Sequence, residues 1–139
     1  MHFFIIKNNV FLGDLTDVSA TDRILCTTRK AKAAKWVNPS LVLQVLSLSE
    51  CRNLTSIKLR TPALESLLAN LCASVHQLEI TVPMPRLLCM NFMGCMALPS
   101  ESLTNAFPHM TRLKQLNVAG CLSLTKLVIP RAFIAVNCT

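Results

Sequence analysis

The sequence predicts an α/β chain in which short parallel strands come from a unit repeated about four times, with mostly extended return segments and one short helix. Three observations lead there. Apolar residues recur as L-x-x-L-x-L-x-x-C at steps of 21, 23 and 26 residues. A second apolar beat follows most of these cysteines. Seven cysteines occur in 139 residues without a C-x-x-C pair, and four of them fall in that register.

The first beat reads Leu43-x-x-Leu46-x-Leu48-x-x-Cys51, then Leu64-x-x-Leu67-x-Ala69-x-x-Cys72, Leu87-x-x-Met90-x-Phe92-x-x-Cys95 and Leu113-x-x-Leu116-x-Val118-x-x-Cys121. Spacing and signature are those of leucine-rich repeats, whose units run to about 20–29 residues. The L-x-L pair has the period of two that sends alternate side chains to one face of a strand. A lone strand of this kind cannot cover its apolar side, so successive units stack and share a core. The expected architecture is a right-handed solenoid with its parallel strands on the concave face.

Cys51, Cys72, Cys95 and Cys121 lie three residues past each inward pair, where the chain turns inward and a small, weakly polar filler fits. The expectation is a ladder of reduced structural thiols, which suits the cytoplasm or the nucleus. The second beat is Leu54-x-x-Ile57-x-Leu59, Val75-x-x-Leu78-x-Ile80 and Leu124-x-x-Leu127-x-Ile129, closed by Pro62, Pro83, Pro85 and Pro130. These aliphatic, β-branched runs predict extended return segments. In the longest unit, Ser100 to Phe107 between Pro99 and Pro108 predicts a helix of about two turns on the convex side.

Residues 1–40 read as an N-terminal arm or irregular cap, and 41–139 as the repeat domain. Within the arm, Ser19-Ala-Thr-Asp22 resembles a capped helix start and suggests a helix to about Trp36. Pro130 to Cys138 begins another unit whose cysteine comes two residues early.

Composition excludes several classes. Hydrophobic residues make up 52% of the chain, too many for a disordered tail. The longest apolar run near the N-terminus, Phe3 to Ile6, is far short of the ~20 residues of a membrane span, so no membrane association is expected. Three glycines and the lack of a Walker or G-x-G-x-x-G motif leave no nucleotide loop. Catalysis has little support, since His2, His76 and His109 have no repeat-pattern reason to meet an acid or a reactive thiol. A Cys72–His76 pair would need geometry that four-residue spacing in a turn does not supply. Cys89, Cys95 and a histidine fall short of a zinc ligand set. No enzyme activity, metal or cofactor is expected. Asn53-Leu-Thr55 and Asn137-Cys-Thr139 match the glycosylation sequon but, with no secretory signal recognisable in the sequence, are expected to stay unmodified.

The residues flanking each inward pair form the candidate partner-binding strip: Val45, Ser47 and Ser49; Ser66, Leu68 and Asn70; Cys89, Asn91 and Met93; Gln115, Asn117 and Ala119. This small-polar, uncharged surface suits a protein partner more than a polyanion. The formal charge of +7 is spread along the chain, with six basic and three acidic groups in 1–40 and eight and four in the rest. Its one cluster, Arg29, Lys30, Lys32 and Lys35, offers an alternative role in nuclear import or contact with nucleic acid. Only Trp36 stands beside it for stacking.

The phrase Leu43-Gln-Val-Leu-Ser-Leu-Ser-Glu-Cys-Arg-Asn-Leu-Thr-Ser-Ile-Lys-Leu59, continued by Pro62-Ala-Leu-Glu-Ser-Leu67, resembles the cysteine-containing repeats of the F-box/leucine-rich-repeat family. The run Leu113 to Leu127 shows the likeness again. Closest in texture is the plant F-box/LRR-repeat protein fifteen-like subgroup, over about residues 41–130. In that family the repeats hold a substrate protein, while an F-box motif docks the Skp1–cullin core for protein ubiquitination. The resemblance implies a substrate-binding module of this ubiquitin-ligase type. No F-box is recognisable in 1–40, so the Skp1–cullin core is an expected partner only if the full product carries one.

Overall fold

Each of the four units places its first apolar beat in a strand. The computed structural model describes residues 3–5, 33–35, 44–130 and 135–138. Its strands are β1 (Phe3–Ile5), β2 (Ala33–Lys35), β3 (Val45–Ser47), β4 (Ser56–Leu59), β5 (Ser66–Leu68), β6 (Gln77–Ile80), β7 (Cys89–Asn91), β8 (Gln115–Asn117) and β9 (Ala135–Asn137). A helix α1 (Ser100–Ala106) runs into a single 3₁₀ turn, Phe107–His109. The chain is therefore α/β with two parallel sheets and little helix. One sheet has the order β1-β3-β5-β7-β8-β9 and the other β2-β4-β6.

Register follows the repeat. Leu46, Leu67, Met90 and Leu116 stand opposite one another across four strands, and each is buried. The next inward row is Leu48, Ala69, Phe92 and Val118, also buried. There the smallest side chain, Ala69, stands beside the largest, Phe92. Ile57 and Leu78, then Leu59 and Ile80, pair across the second sheet and close the core from the other side. Fully burying one such side chain is worth roughly 1.5–3 kcal/mol, and the rows are continuous from unit to unit.

Pairing continues past the strands. Leu48 N–H donates to Leu68 O, Glu50 N–H to Asn70 O, Ala69 N–H to Asn91 O, and Gly94 N–H to Ala119 O. The residue before each ladder cysteine has positive φ: Glu50 (65°), Leu71 (61°), Gly94 (74°) and Gly120 (72°). This left-handed residue turns the chain into the core and ends the strand. Glycine takes it without penalty; Glu50 and Leu71 carry a Cβ there.

Two sequence expectations change. The helix expected from Ser19 to about Trp36 is instead strand at Ala33–Lys35, where pairing with β4 (Ala34 opposite Ile57) overrides the helix propensity of an alanine- and lysine-rich run. The rest of that helix lies outside the described residues. Within the segment read as an N-terminal arm or irregular cap, Phe3–Ile5 and Ala33–Lys35 add one strand to each sheet, with Phe4 opposite Leu46. Finally, 124–129 keeps the second apolar beat but forms no strand. In the preceding unit α1 takes the place of a return strand, so 124–129 has no ladder to join. Lys126 N–H is held by Ser100 Oγ at the start of α1 (3.2 Å), and Ser123 by Met96 O. The other expectations for the second beat, extended segments at 54–59 and 75–80 and a short helix from Ser100, match β4, β6 and α1.

One core position is out of keeping. Thr61 is 1% exposed, and its Oγ1 has no hydrogen-bond partner. The same place in the next two units, three residues before Leu87 and Leu113, holds buried Met84 and Met110. A buried hydroxyl without a partner costs about 1–3 kcal/mol. We expect Thr61→Val to raise the urea midpoint by the equivalent of about 1 kcal/mol, whereas Thr61→Ser should not.

Candidate functional site

The four ladder cysteines occupy equivalent places in successive units. Cys51, Cys72, Cys95 and Cys121 are all buried, and no disulfide joins any of the six described cysteines. Three of them repeat one hydrogen bond. Cys72 Sγ–H donates to Leu48 O, Cys95 to Ala69 O and Cys121 to Phe92 O, each at 2.9 Å. The acceptor is always the carbonyl of the second inward residue one unit earlier, a group the turn carries into the core. A thiol fills this corner because it is small, largely apolar and still carries a donor.

Cys72 and Cys121 are shifted towards the protonated thiol, whereas the hydrogen bond with Cys72 lowers Cys95 below the ordinary thiol value. Cys72 lies far above the ordinary thiol range, through hydrogen bonds shared with Cys51 and Cys95 and then through burial. Burial pushes Cys121 up to about 11. A thiol whose folded pKa is raised binds its proton more tightly folded than unfolded. The stability it contributes is complete below about pH 9 and is lost as pH rises from 9 towards 11. We expect the urea midpoint to fall across that window, and less so in Cys121→Ser. At pH 8, mass spectrometry after iodoacetamide should find the exposed Cys138 labelled first and half-buried Cys89 next. The four ladder thiols should react only as fast as the protein opens.

The flanking residues form the outer face of the six-stranded sheet. Register sets Val45, Ser66, Cys89 and Gln115 in one row and Ser47, Leu68, Asn91 and Asn117 in a second. Ser49, Asn70, Met93 and Ala119 follow at the rim. All are half-buried except Gln115 and Met93, which are exposed. None carries a charge. The face is partly tied up internally. Ser49 Oγ donates to Asn70 Oδ1, and Ser47 Oγ lies 3.4 Å from Ser49 Oγ. Asn91 Oδ1 accepts from Met93 N–H at 3.0 Å, and Asn117 Oδ1 from Ala119 N–H at 3.1 Å. Both asparagines thus brace the strand exit with their side-chain carbonyl oxygens. Sequence reasoning listed them as binding residues and missed this second role, which the N-x-M-G and N-x-A-G strings before Cys95 and Cys121 encode.

Other candidates are dispersed. Cys72 Sγ turns to Leu48 O, while His76 Nδ1 lies 3.2 Å from Ser74 O, so the two do not face each other. Among the described residues no group of three or more His, Cys, Asp and Glu is placed to hold a metal. No helix there is long and apolar enough to cross a membrane. Of the basic cluster, Lys35 sits in β2 opposite Lys58, which in turn pairs with Glu79 at 2.8 Å. Arg29, Lys30 and Lys32 lie outside the described residues. Cys138 follows β9; continuing the register of Leu116 with Val136, it falls level with Val118, three residues short of a ladder position rather than two. Comparison with known protein families, curated proteins and solved structures gave no match.

Proposed function

We propose that the chain is a leucine-rich-repeat solenoid that serves protein recognition, of the lineage that supplies the substrate-binding part of F-box ubiquitin-ligase receptors. The observation that carries this reading is the outer face of the six-stranded sheet. Four parallel strands present two registered rows of uncharged side chains, with a third at the rim, dominated by Ser, Asn and Gln with Leu68 and Met93 among the apolar points. Such a surface gives a partner hydrogen bonds and shape to read but little charge to follow. The family assignment rests on the repeat phrases at 43–67 and 113–127.

Photo-crosslinking from Leu68 and Gln115, followed by identification of the captured protein, tests the reading. We expect one partner whose capture is lost in Ser66→Arg/Leu68→Arg, with the circular dichroism spectrum unchanged. Co-recovery of Skp1 and cullin would support ligase membership. Salt-sensitive capture of nucleic acid, abolished by neutralising Lys30, Lys32 and Lys35, would instead favour the basic-adaptor alternative.

A further inference from the structure

The two rims of the outer face of the six-stranded sheet differ in chemistry. Where the chain enters β7 and β8, Arg86 and Arg112 stand one residue before the buried Leu87 and Leu113, and Lys114 follows Leu113. All three cations are exposed. The units are in register here, since Lys114 N–H and Gln115 N–H both donate to Leu88 O, and Leu88 N–H and Cys89 N–H to Glu65 O. Equivalent places therefore lie about one strand spacing apart, about 4.8 Å, and like charges so placed repel. Glu65 is the one acid at the three entries, 63–65, 86–88 and 112–114. Among the described residues the only ion pair joins Lys58 to Glu79, on the other sheet, so none of the three cations has a carboxylate at ion-pair distance.

Where the chain leaves the same strands, the surface is apolar. Leu71, Met93, Met96 and Leu122 are all exposed. Their units adjoin, with Leu71 N–H donating to Met93 O and Ser123 N–H to Met96 O. No charged residue stands at the exits 69–73, 92–96 and 118–122, whereas the first unit carries Glu50 and Arg52 there. A cluster of exposed apolar side chains marks an interaction surface, and methionine adapts its shape to what it meets. Arg86 and Met93 are seven residues apart in sequence, which is at most about 23 Å of extended chain.

We propose that β5, β7 and β8 take an extended segment of a protein partner in one polarity. Its Asp or Glu side chains lie over Arg86, Arg112 and Lys114, and apolar side chains about seven residues away lie over Leu71, Met93 and Met96. The site rests on the recognition role proposed for this face and adds the partner's chemistry to it. The arginine forks hold carboxylates through paired hydrogen bonds, while the apolar end contributes buried area. Single-stranded nucleic acid fits less well. It carries phosphates along its whole length and is held by aromatic stacking, whereas the cations stop at one rim and no aromatic residue stands on the outer rows of these three strands.

The test is an NMR titration of the full chain with pooled peptides of about nine residues. One pool has Asp or Glu at one end, Ser, Thr or Asn in the middle and Leu, Met or Phe at the other end. A second pool reverses that order, and a third shuffles the same composition. We expect one ordered pool to shift the Met93 and Met96 methyl signals together with the amides of Arg86, Arg112 and Lys114. The shuffled pool should bind about tenfold more weakly. Arg86→Glu/Arg112→Glu should abolish binding of the ordered pool and admit one in which Lys replaces the acids, with the methyl signals of the core unchanged. Binding by neither ordered pool, equal binding by the shuffled pool, or shifts of the same residues by oligothymidylate at least as large would overturn the proposal. Photo-crosslinking from Leu68 and Gln115 separates the two failures. A partner captured there in spite of Arg86→Glu/Arg112→Glu refutes the charge assignment alone, and the absence of any captured partner refutes the recognition role with it.

Discussion

Replacing Cys95 with alanine should lower stability by about 2–3 kcal/mol, more than any surface change in the same unit. Cys95 is wholly buried, and its thiol donates to the carbonyl of Ala69. Alanine removes the sulfur from a packed corner and leaves a buried carbonyl without that donor. Serine restores the donor and most of the volume, so Cys95→Ser should cost less than Cys95→Ala although the hydroxyl is the more polar group. If burial alone mattered, the order would reverse, because serine places a hydroxyl where alanine places nothing. Cys121 is the least buried rung at 8% exposure, and its alanine variant should lose less than that of Cys95. Urea denaturation of these three single variants measures the series.

Gly94→Ala should cost about 2 kcal/mol, with a partner that can be named. Gly94 has φ of 74°, and a Cβ there would come within 2.8 Å of Leu71 Cδ2. The backbone term is about 1–2 kcal/mol for any L side chain in this region; the steric term belongs to Leu71. In a Leu71→Gly background the clash is gone, and Gly94→Ala should cost only about 1 kcal/mol. Gly120→Ala serves as the internal control. Its added Cβ would meet Gly94 at 3.6 Å, an ordinary contact, so only the backbone term remains. The converse change, Glu50→Gly, relieves the left-handed conformation of an exposed residue and should stabilise by about 0.5–1 kcal/mol after the entropy of glycine is deducted.

Those left-handed turns show where sequence reading reaches and where it stops. Gly94-Cys95 and Gly120-Cys121 spell the turn out, since glycine before the cysteine signals positive φ. Glu50 and Leu71 adopt the same backbone with no such signal, because packing of the following cysteine imposes it. The first apolar beat was legible for a similar reason: one period-two pair per unit, each facing the core, leaves no second solution for β3, β5, β7 and β8. The second beat is weaker evidence. Leu54-Ile57-Leu59 and Leu124-Leu127-Ile129 have the same spacing, yet only the first becomes a strand. The difference lies in the neighbouring unit, where a strand at β6 accepts β4 and the helix α1 accepts nothing.

At β2 the local signal pointed the wrong way. Lys30-Ala-Lys-Ala-Ala-Lys35 favours helix by propensity, whereas Ala33–Lys35 pairs with β4; a partner some twenty residues away cannot be read from the segment itself. The candidate face was legible as positions but not as contacts. Period two identifies Asn91 and Asn117 as outward residues, while their hydrogen bonds to Met93 and Ala119 depend on the turn that follows.

The central claim is that the cysteines are the inner corners of a stack of parallel, registered strands. Through-space NMR contacts in the native protein test it most directly. We expect methyl contacts running in sequence from Leu46 to Leu67, Met90 and Leu116, with the thiol protons of Cys72, Cys95 and Cys121 slow to exchange and close to Leu48, Ala69 and Phe92. Antiparallel contacts between these segments, or rapidly exchanging thiols with no contact to the preceding unit, would contradict it.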